Sequence, residues 1–197
     1  MLSLLLDTTI SRSDQPSVTQ IWCEDSSAGI PTKSKWRRSA KSTEKIKNLI
    51  ISTFEKVYEP FTEKDLNISD KRKFLEELAE EDIRKNAQAP SSMPWLIAKQ
   101  DEKVIGYSSF DLSQSPDEIY IRLLCVSPES QGQKLGEKLI FPIVDLYPNK
   151  KYLTLTTRKL NERALGFYKK LGFETTDKVY EGVDPNLYYS LRLELIT

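Results

Sequence analysis

Two stretches of this chain combine residue types that could do chemistry. In the first, Cys125-Val126-Ser127-Pro128-Glu129-Ser130-Gln131-Gly132-Gln133-Lys134-Leu135-Gly136, an apolar run gives way to a loop of small and polar residues and then to the opening of a helix. Such a junction aims unpaired backbone N–H groups outward, and with the positive end of the helix it makes a seat for phosphate oxygens. Gly and Gln also occur in strand-to-helix turns for steric reasons, so this stretch alone reads equally as an anion site or as a plain turn. The second, Asn161 to Phe173, carries Tyr168 on one helical face with Ala164, Leu165 and Leu171. Read by itself, Tyr168 is a half-buried packing residue with its hydroxyl at the rim. Histidine is absent, which removes the usual base of serine and cysteine nucleophile systems and the commonest metal ligand. Cys125, in an apolar strand with no base in view, reads as core.

Those stretches need a scaffold, and the rest of the chain supplies one. With 197 residues there is room for one sizeable core, so a domain over 41–197 is expected behind an extension over 1–40. The extension is rich in Ser, Thr, Pro and charge. It holds a candidate first strand, Ser17 to Cys23, and a basic cluster, Lys33, Lys35, Arg37, Arg38 and Lys41, that reads as solvated because Trp36 is its one aromatic neighbour. Ile46, Leu49, Ile50, Phe54 and Val57 recur at helical spacing before Pro60, giving a helix over Ser42 to Tyr58. A second helix opens at Ser69 as N-cap and carries Phe74, Leu75, Leu78 and Ile83, with Glu76, Glu77, Glu80, Glu81 and Asp82 on its other faces.

Trp95 to Ala98 and Val104 to Leu112 form a hairpin around a polar turn, and Gly106 marks a bulge or a close backbone approach. Glu118 to Val126 is the clearest strand. A helix from Gln133 must kink or stop near Pro142, which has no N–H for the carbonyl of Lys138. A strand Tyr152 to Thr156, a helix Asn161 to Leu171 closed by Gly172, and strands near Phe173 to Tyr180 and Leu187 to Leu195 follow. The pattern is α/β, with a mixed, mostly antiparallel sheet of six to seven strands and about four helices.

Lys+Arg and Asp+Glu both total 29, so no global field favours nucleic acid or an anionic membrane, and neither is expected as a partner. Cys23 and Cys125 are too few for a disulfide framework or a cysteine-rich metal site, which fits a reducing cytoplasm. Met1 to Leu6 is apolar but lacks a basic leader, and no stretch approaches the ~20 apolar residues of a spanning helix. Neither export nor membrane insertion is expected.

Taken together, the Gln131 to Gly136 turn and the block Asn161-Glu162-Arg163-Ala164-Leu165-Gly166-Phe167-Tyr168-Lys169-Lys170-Leu171-Gly172-Phe173 resemble the coenzyme-binding pattern of the GNAT superfamily. That pattern is Gln or Arg, two residues, Gly, one residue, Gly or Ala, and further along Asn, Ala, Phe-Tyr and Gly-Phe. The likeness runs from about Trp95 to Phe173, thins toward the C-terminus, and is weak before Ile46. It implies the GNAT fold, splayed at its CoA site, with acetyl-CoA as acyl donor and no metal. On this likeness Gln131 opens the pyrophosphate loop beside Gly132, and the N–H groups of Gln133, Lys134, Leu135 and Gly136 cradle the diphosphate. Lys134 departs from the pattern by replacing its first glycine. A Cβ there disfavours positive φ, which predicts a tighter or differently paired turn; the ammonium either meets a phosphate or points to water.

The likeness further implies that Leu124 and Val126 pair with the pantetheine amides, that Asn161, also a natural N-cap, bonds the pantetheine arm, and that Tyr168 is the general acid for the leaving thiolate. The family's usual glutamate base falls on Tyr120. Glu118, two residues earlier on the same strand face, is the candidate base; a solvent-exposed Glu118 or a water relay at Tyr120 are the alternatives. Tyr58 and Phe61 are candidate acceptor-site walls. The Phe-Tyr-Lys-Lys-Leu-Gly-Phe block and helix order are most similar to bacterial polyamine acetyltransferases. This predicts direct acetyl transfer to a small-molecule primary amine, a polyamine among them, by a monomer or homodimer, with the acidic second helix attracting cations. Two readings remain beside it: a non-catalytic acyl-CoA-binding or protein-interaction module on the same scaffold, and acetylation of a protein lysine or N-terminus.

Overall fold

Alternation of side chains along a strand decides which helices can cover which face of a sheet, and here two interruptions of that alternation shape the molecule. The computed structural model describes residues 20–23 and 40–195; the basic cluster's side chains and most of the amino-terminal extension lie outside the described residues. The elements are β1 (Gln20–Cys23), α1 (Ala40–Tyr58), α2 (Lys71–Gln88), β2 (Trp95–Gln100), β3 (Lys103–Asp111), β4 (Glu118–Val126), a 3-10 turn (Pro128–Ser130), α3 (Leu135–Lys138), α4 (Pro142–Leu146), β5 (Tyr152–Arg158), α5 (Glu162–Lys170), β6 (Glu174–Thr176) and β7 (Tyr188–Glu194). The strands form one seven-stranded sheet in the order β1-β2-β3-β4-β5-β7-β6. Every pairing is antiparallel except β4 against β5, so the α/β pattern and the mixed, mostly antiparallel sheet stand as the sequence predicts.

One face packs Trp95, Ile97, Val104, Tyr107, Leu123 and Cys125 against α1 and α2. The other packs Leu96, Ala98, Ile105, Phe110, Ile119 and Ile121 against residues of α3, α4 and α5. In an unbroken strand Ile119, Ile121, Leu123 and Cys125 would all face one way. They divide between the two cores because Arg122 is an extra residue: Ser109 pairs with Leu123 but Phe110 with Ile121, and the bulge shifts the phase of β4.

A second bulge lies in β3, where Gly106 pairs with Ala98 but Val104 with Lys99. A Cβ on Gly106 would sit 2.6 Å from Leu139 Cδ1, so the bulge and the close approach expected there are both present. Asp70 rather than Ser69 caps α2, its carboxylate accepting from the Lys73 N–H at 2.8 Å. After the loop the helix starts at Leu135 rather than Gln133, stops at Lys138, and resumes with Pro142 in the first turn of α4, where its missing N–H costs nothing. The strand expected over Phe173 to Tyr180 contracts to β6: Phe173 packs against Tyr168 at its start, and beyond Thr176 the side chains of Lys178 and Tyr180 bond Glu118 in place of a continued ladder.

Gly106→Ala is expected to destabilise the fold by about 1–3 kcal/mol through overpacking. Denaturant unfolding would show it, and the cost should shrink in a Leu139→Val background; an unchanged midpoint would contradict the close approach.

Candidate active site

The site begins where two strands part. β4 and β5 pair only from Glu118 to Ile121 against Tyr152 to Leu155, yet β4 runs on to Val126 and β5 to Arg158. Beyond Ile121 the inner edge of β4 is therefore open. The Ser127 N–H donates to the Ile105 carbonyl at 2.9 Å, on the β3 side. Antiparallel alternation then turns the backbone amides of Val126 and Leu124 the other way, into the gap. In keeping with this, Gln131 Nε2 donates to the Val126 carbonyl at 3.0 Å, so the Gln131 side chain ties the loop back onto the strand it leaves.

The loop that follows is built of positive-φ residues, Gly132 at +83° and Lys134 at +56°. From Gly132 to Glu137 no backbone N–H donates to a protein acceptor among the described residues; the next donor, Lys138, bonds the Lys134 carbonyl. Six consecutive N–H groups at a loop-to-helix junction form a cradle for anionic oxygens. Gly136 lets the Phe167 ring close against the cradle, since a Cβ there would lie 2.8 Å from Phe167 Cζ. The expectation that Lys134 alters the turn is corrected. The left-handed conformation is kept with a lysine in it, at a cost of roughly 1–2 kcal/mol, and the side chain is exposed.

Two clefts meet at this gap. A narrower one of about 320 Å³ runs along Leu124, Val126, Gly132, Lys134 and Gly136. A wider one of about 490 Å³ opens beside α1, α2 and β5. Phe54, Leu124, Asn161, Ala164 and Tyr168 line both. Asn161 caps α5, its Oδ1 accepting from the Ala164 N–H at 3.1 Å, and so sets the helix that carries Tyr168. The Tyr168 ring stands edge-on to Phe167 and Phe173 at 5.1 and 5.3 Å. Its hydroxyl has no hydrogen-bond partner among the described residues, and burial raises its pKa above the ordinary tyrosine range. A phenol so placed stays protonated and can donate at the junction of the clefts.

The model of the acetyltransferase (GNAT) family matches residues 52–173. The chain belongs to the GNAT family. A peptidyl-lysine N-acetyltransferase, YjaB of Salmonella typhimurium, is 27% identical over 89 residues, 45% of this chain and 55% of the relative. The 5-NmdU N-acetyltransferase of Pseudomonas phage PaMx11 is 26% identical over 109 residues, 55% of this chain and 76% of the relative. The match to YjaB thus spans about half of that relative's length. The fold is shared with a PaiA N-acetyltransferase of Thermoplasma acidophilum crystallised with coenzyme A, at a TM-score of 0.64 and 16% identity over 89% of this chain and 99% of that one. An acetyltransferase of Streptococcus agalactiae gives 0.62 at 16% identity, over 89% and 98%.

Within this GNAT domain the residues expected from sequence separate into two groups. Leu124, Val126, Gln131, Gly132, Lys134, Leu135, Gly136, Asn161 and Tyr168 come together around the narrower cleft; Gln133 is exposed and outside its lining. Tyr58 and Tyr120 line the wider one. Burial pushes the Tyr58 phenol up to about 12, with Arg158 opposing. The Tyr120 hydroxyl sits 2.7 Å from Thr156 Oγ1. Phe61 lines neither cleft; it packs against the α1–α2 core, which corrects its reading as an acceptor-site wall. Glu118 is also outside both. Lys178 Nζ holds its two oxygens at 2.7 and 2.6 Å and the Tyr180 hydroxyl donates at 3.3 Å. It stands in the closed, paired part of β4 with both oxygens held by Lys178, so its placement does not support the role of general base.

Three residues of the wider cleft were not expected. Asp82, 1% exposed, accepts from the Tyr107 hydroxyl at 2.7 Å, Ser109 Oγ at 2.9 Å, Asn86 Nδ2 at 3.2 Å and Arg122 Nε at 2.9 Å. Arg122 is the bulge residue, and Arg158 ends β5. The buried residues of α2 are Leu75, Ala79, Asp82 and Asn86, a helical stripe that would have marked Asp82 as inward-facing. Its acidic neighbours are instead tied up on the surface, Glu76 by Arg72, Glu77 by Lys73, Glu80 by Lys47 and Glu81 by Lys85, which leaves little free charge to attract cations. Cys125 is fully buried in the α1–α2 core and burial raises its thiol pKa, which disfavours an acetyl-cysteine.

Lys134→Gly is expected to stabilise the protein by about 1 kcal/mol, because relief of the left-handed strain exceeds the added chain entropy. Thermal melting checks this; a loss of stability would show that the lysine side chain carries packing the backbone argument omits.

Proposed function

We propose that the protein is an acetyl-CoA-dependent N-acetyltransferase that passes the acetyl group directly to a primary amine on a small molecule. The reading rests on the meeting of a cradle-bearing cleft and an acceptor-sized cleft at one phenol, Tyr168. It is supported by membership of the GNAT family and by a fold shared with a protein crystallised with coenzyme A.

The free N–H groups of Gly132 to Glu137 suit the diphosphate, and the open edge at Leu124 and Val126 suits the pantetheine amides as an added strand. A backbone N–H of that edge can then polarise the thioester carbonyl. The acceptor amine, deprotonated by water in the wider cleft near Tyr120, attacks the carbonyl carbon. As the C–S bond breaks, Tyr168 gives its proton to the departing sulfur and recovers one from the amine's former ammonium proton through the same water. The net products are the amide, free CoA thiol and one proton. Pairs such as Lys178 with Glu118 take no part.

A second acceptor class, a protein lysine, is favoured by the likeness to YjaB, a peptidyl-lysine N-acetyltransferase. The concave shape and volume of the wider cleft, about 490 Å³, suit a small molecule.

Tyr168→Phe is expected to lower kcat by about 10²–10⁴-fold with acetyl-CoA affinity, measured by calorimetry, within about twofold. Cys125→Ala should retain activity, and no acetyl-enzyme should be trapped by mass spectrometry. Wild-type protein that binds acetyl-CoA but acetylates no member of an amine panel would support the non-catalytic module. For an acceptor of pKa about 10, kcat/KM should climb with pH up to that value with no falling limb below it, because the phenol of Tyr168 remains protonated throughout; a falling limb near neutrality would assign the acid to another group.

A further inference from the structure

Building on the acetyltransferase reading, we infer that the acceptor carries a carboxylate as well as its amine, and that Arg158 is the residue that selects it. Arg158 lines the wider cleft at the end of β5 and is 6% exposed. A guanidinium does not deprotonate in proteins, so its charge must be offset where it is buried. Here no carboxylate lies within 4.0 Å of it among the described residues. Nη1 donates to the Leu66 carbonyl at 2.7 Å, and Nε is buried with no partner. The rings of Tyr58, Phe74 and Tyr188 surround it at 5.8, 5.4 and 5.0 Å. Those π-faces and the Leu66 carbonyl offset part of the charge, and no carboxylate of the described residues completes the offset.

The other charges of the cleft do not complete the pair. Arg122 is held by Asp82 at 2.9 Å and Lys85 by Glu81 at 2.6 Å. Asp111 accepts from Ser113 and Gln114, and Glu181 is exposed at the rim. Arg158 is thus the cation of this cleft that no protein carboxylate neutralises, and it shares the cleft with Tyr168. A monoanion matches one guanidinium in an aromatic enclosure, whereas a phosphate dianion would leave a buried charge unbalanced. A carboxylate supplies the negative charge that the rings and the Leu66 carbonyl do not. A polyamine offers no anion and would bring a second cation toward Arg158.

Matched acceptors test this on the wild-type enzyme: ornithine against putrescine, tyrosine against tyramine, phenylalanine against phenylalaninamide, with spermidine and a C-terminally amidated lysine peptide alongside. The carboxylated member of each pair is expected to have the higher kcat/KM by about 30-fold or more, the loss that removing one partner of a buried charge pair entails. Arg158→Gln should erase that preference by lowering only the carboxylated member, while Arg158→Lys retains part of it and acetyl-CoA affinity is unchanged in both. Equal or faster rates with the decarboxylated members, or with spermidine or the peptide, would overturn the inference and leave acetyl transfer standing. If no amine is acetylated, the acetyltransferase reading itself fails. Titration of N-acetyltyrosine against N-acetyltyramine into the CoA-loaded protein then decides the carboxylate site without turnover: tighter binding of the acid supports it, and equal binding overturns it.

Discussion

The separation of β4 from β5 beyond Ile121 and Leu155 is the feature on which everything else here depends. A parallel pair that stayed zipped to its end would spend the amides of Leu124 and Val126 on a neighbouring strand and leave no slot between the helices. Parting early leaves those groups facing a gap. An open inner strand edge is costly unless something pairs with it, and an extended chain bearing amides is the natural complement. The loop beyond Val126 repeats the logic, with a run of N–H groups that no protein acceptor satisfies.

The bulge at Arg122 is the hinge of this arrangement. It re-aims the second half of β4, so that Leu123 and Cys125 join the α1–α2 core while Leu124 and Val126 look into the clefts. Asp82 secures it from below. One buried carboxylate gathers Arg122, Tyr107, Ser109 and Asn86, joining α2, β3 and β4 at the floor of the wider cleft. Breaking such a cluster strands a buried charge, which is why the bulge holds one geometry. Arg158 is surrounded by rings and meets no acid among the described residues, and this asymmetry with the part-buried Arg122 separates a structural pair from a group left for a ligand.

Local signals were legible in the sequence and long-range ones were not. The limits of β4, the Asn161 cap, the Gly106 bulge and the break at Pro142 follow from turn chemistry and short-range pattern. The loop and Tyr168 were legible because both lie within short motifs whose order along the chain matches a family pattern. The Arg122 bulge was hidden, since a central strand is apolar on both faces and Ile119, Ile121, Leu123 and Cys125 look like a single face. Glu118 does share its strand face with Tyr120, but the pairing of its carboxylate with Lys178, which comes from a distant segment, was not legible. Asp82 lay in plain view within an acidic run whose other members are surface charges. Arg158 gave no sign, because the rings around it come from α1, α2 and β7, elements distant in sequence. At Lys134 residue preference pointed one way and the loop's geometry another, and the loop decided.

A crystal structure of the protein bound to a non-hydrolysable acetyl-CoA analogue tests the central claim most directly. It should show the diphosphate within hydrogen-bond distance of N–H groups between Gly132 and Glu137, the pantetheine arm paired to Leu124 and Val126, and the Tyr168 hydroxyl against the atom that replaces sulfur. An analogue bound elsewhere, or a β4–β5 gap closed by added strand pairing with the analogue excluded, would contradict it.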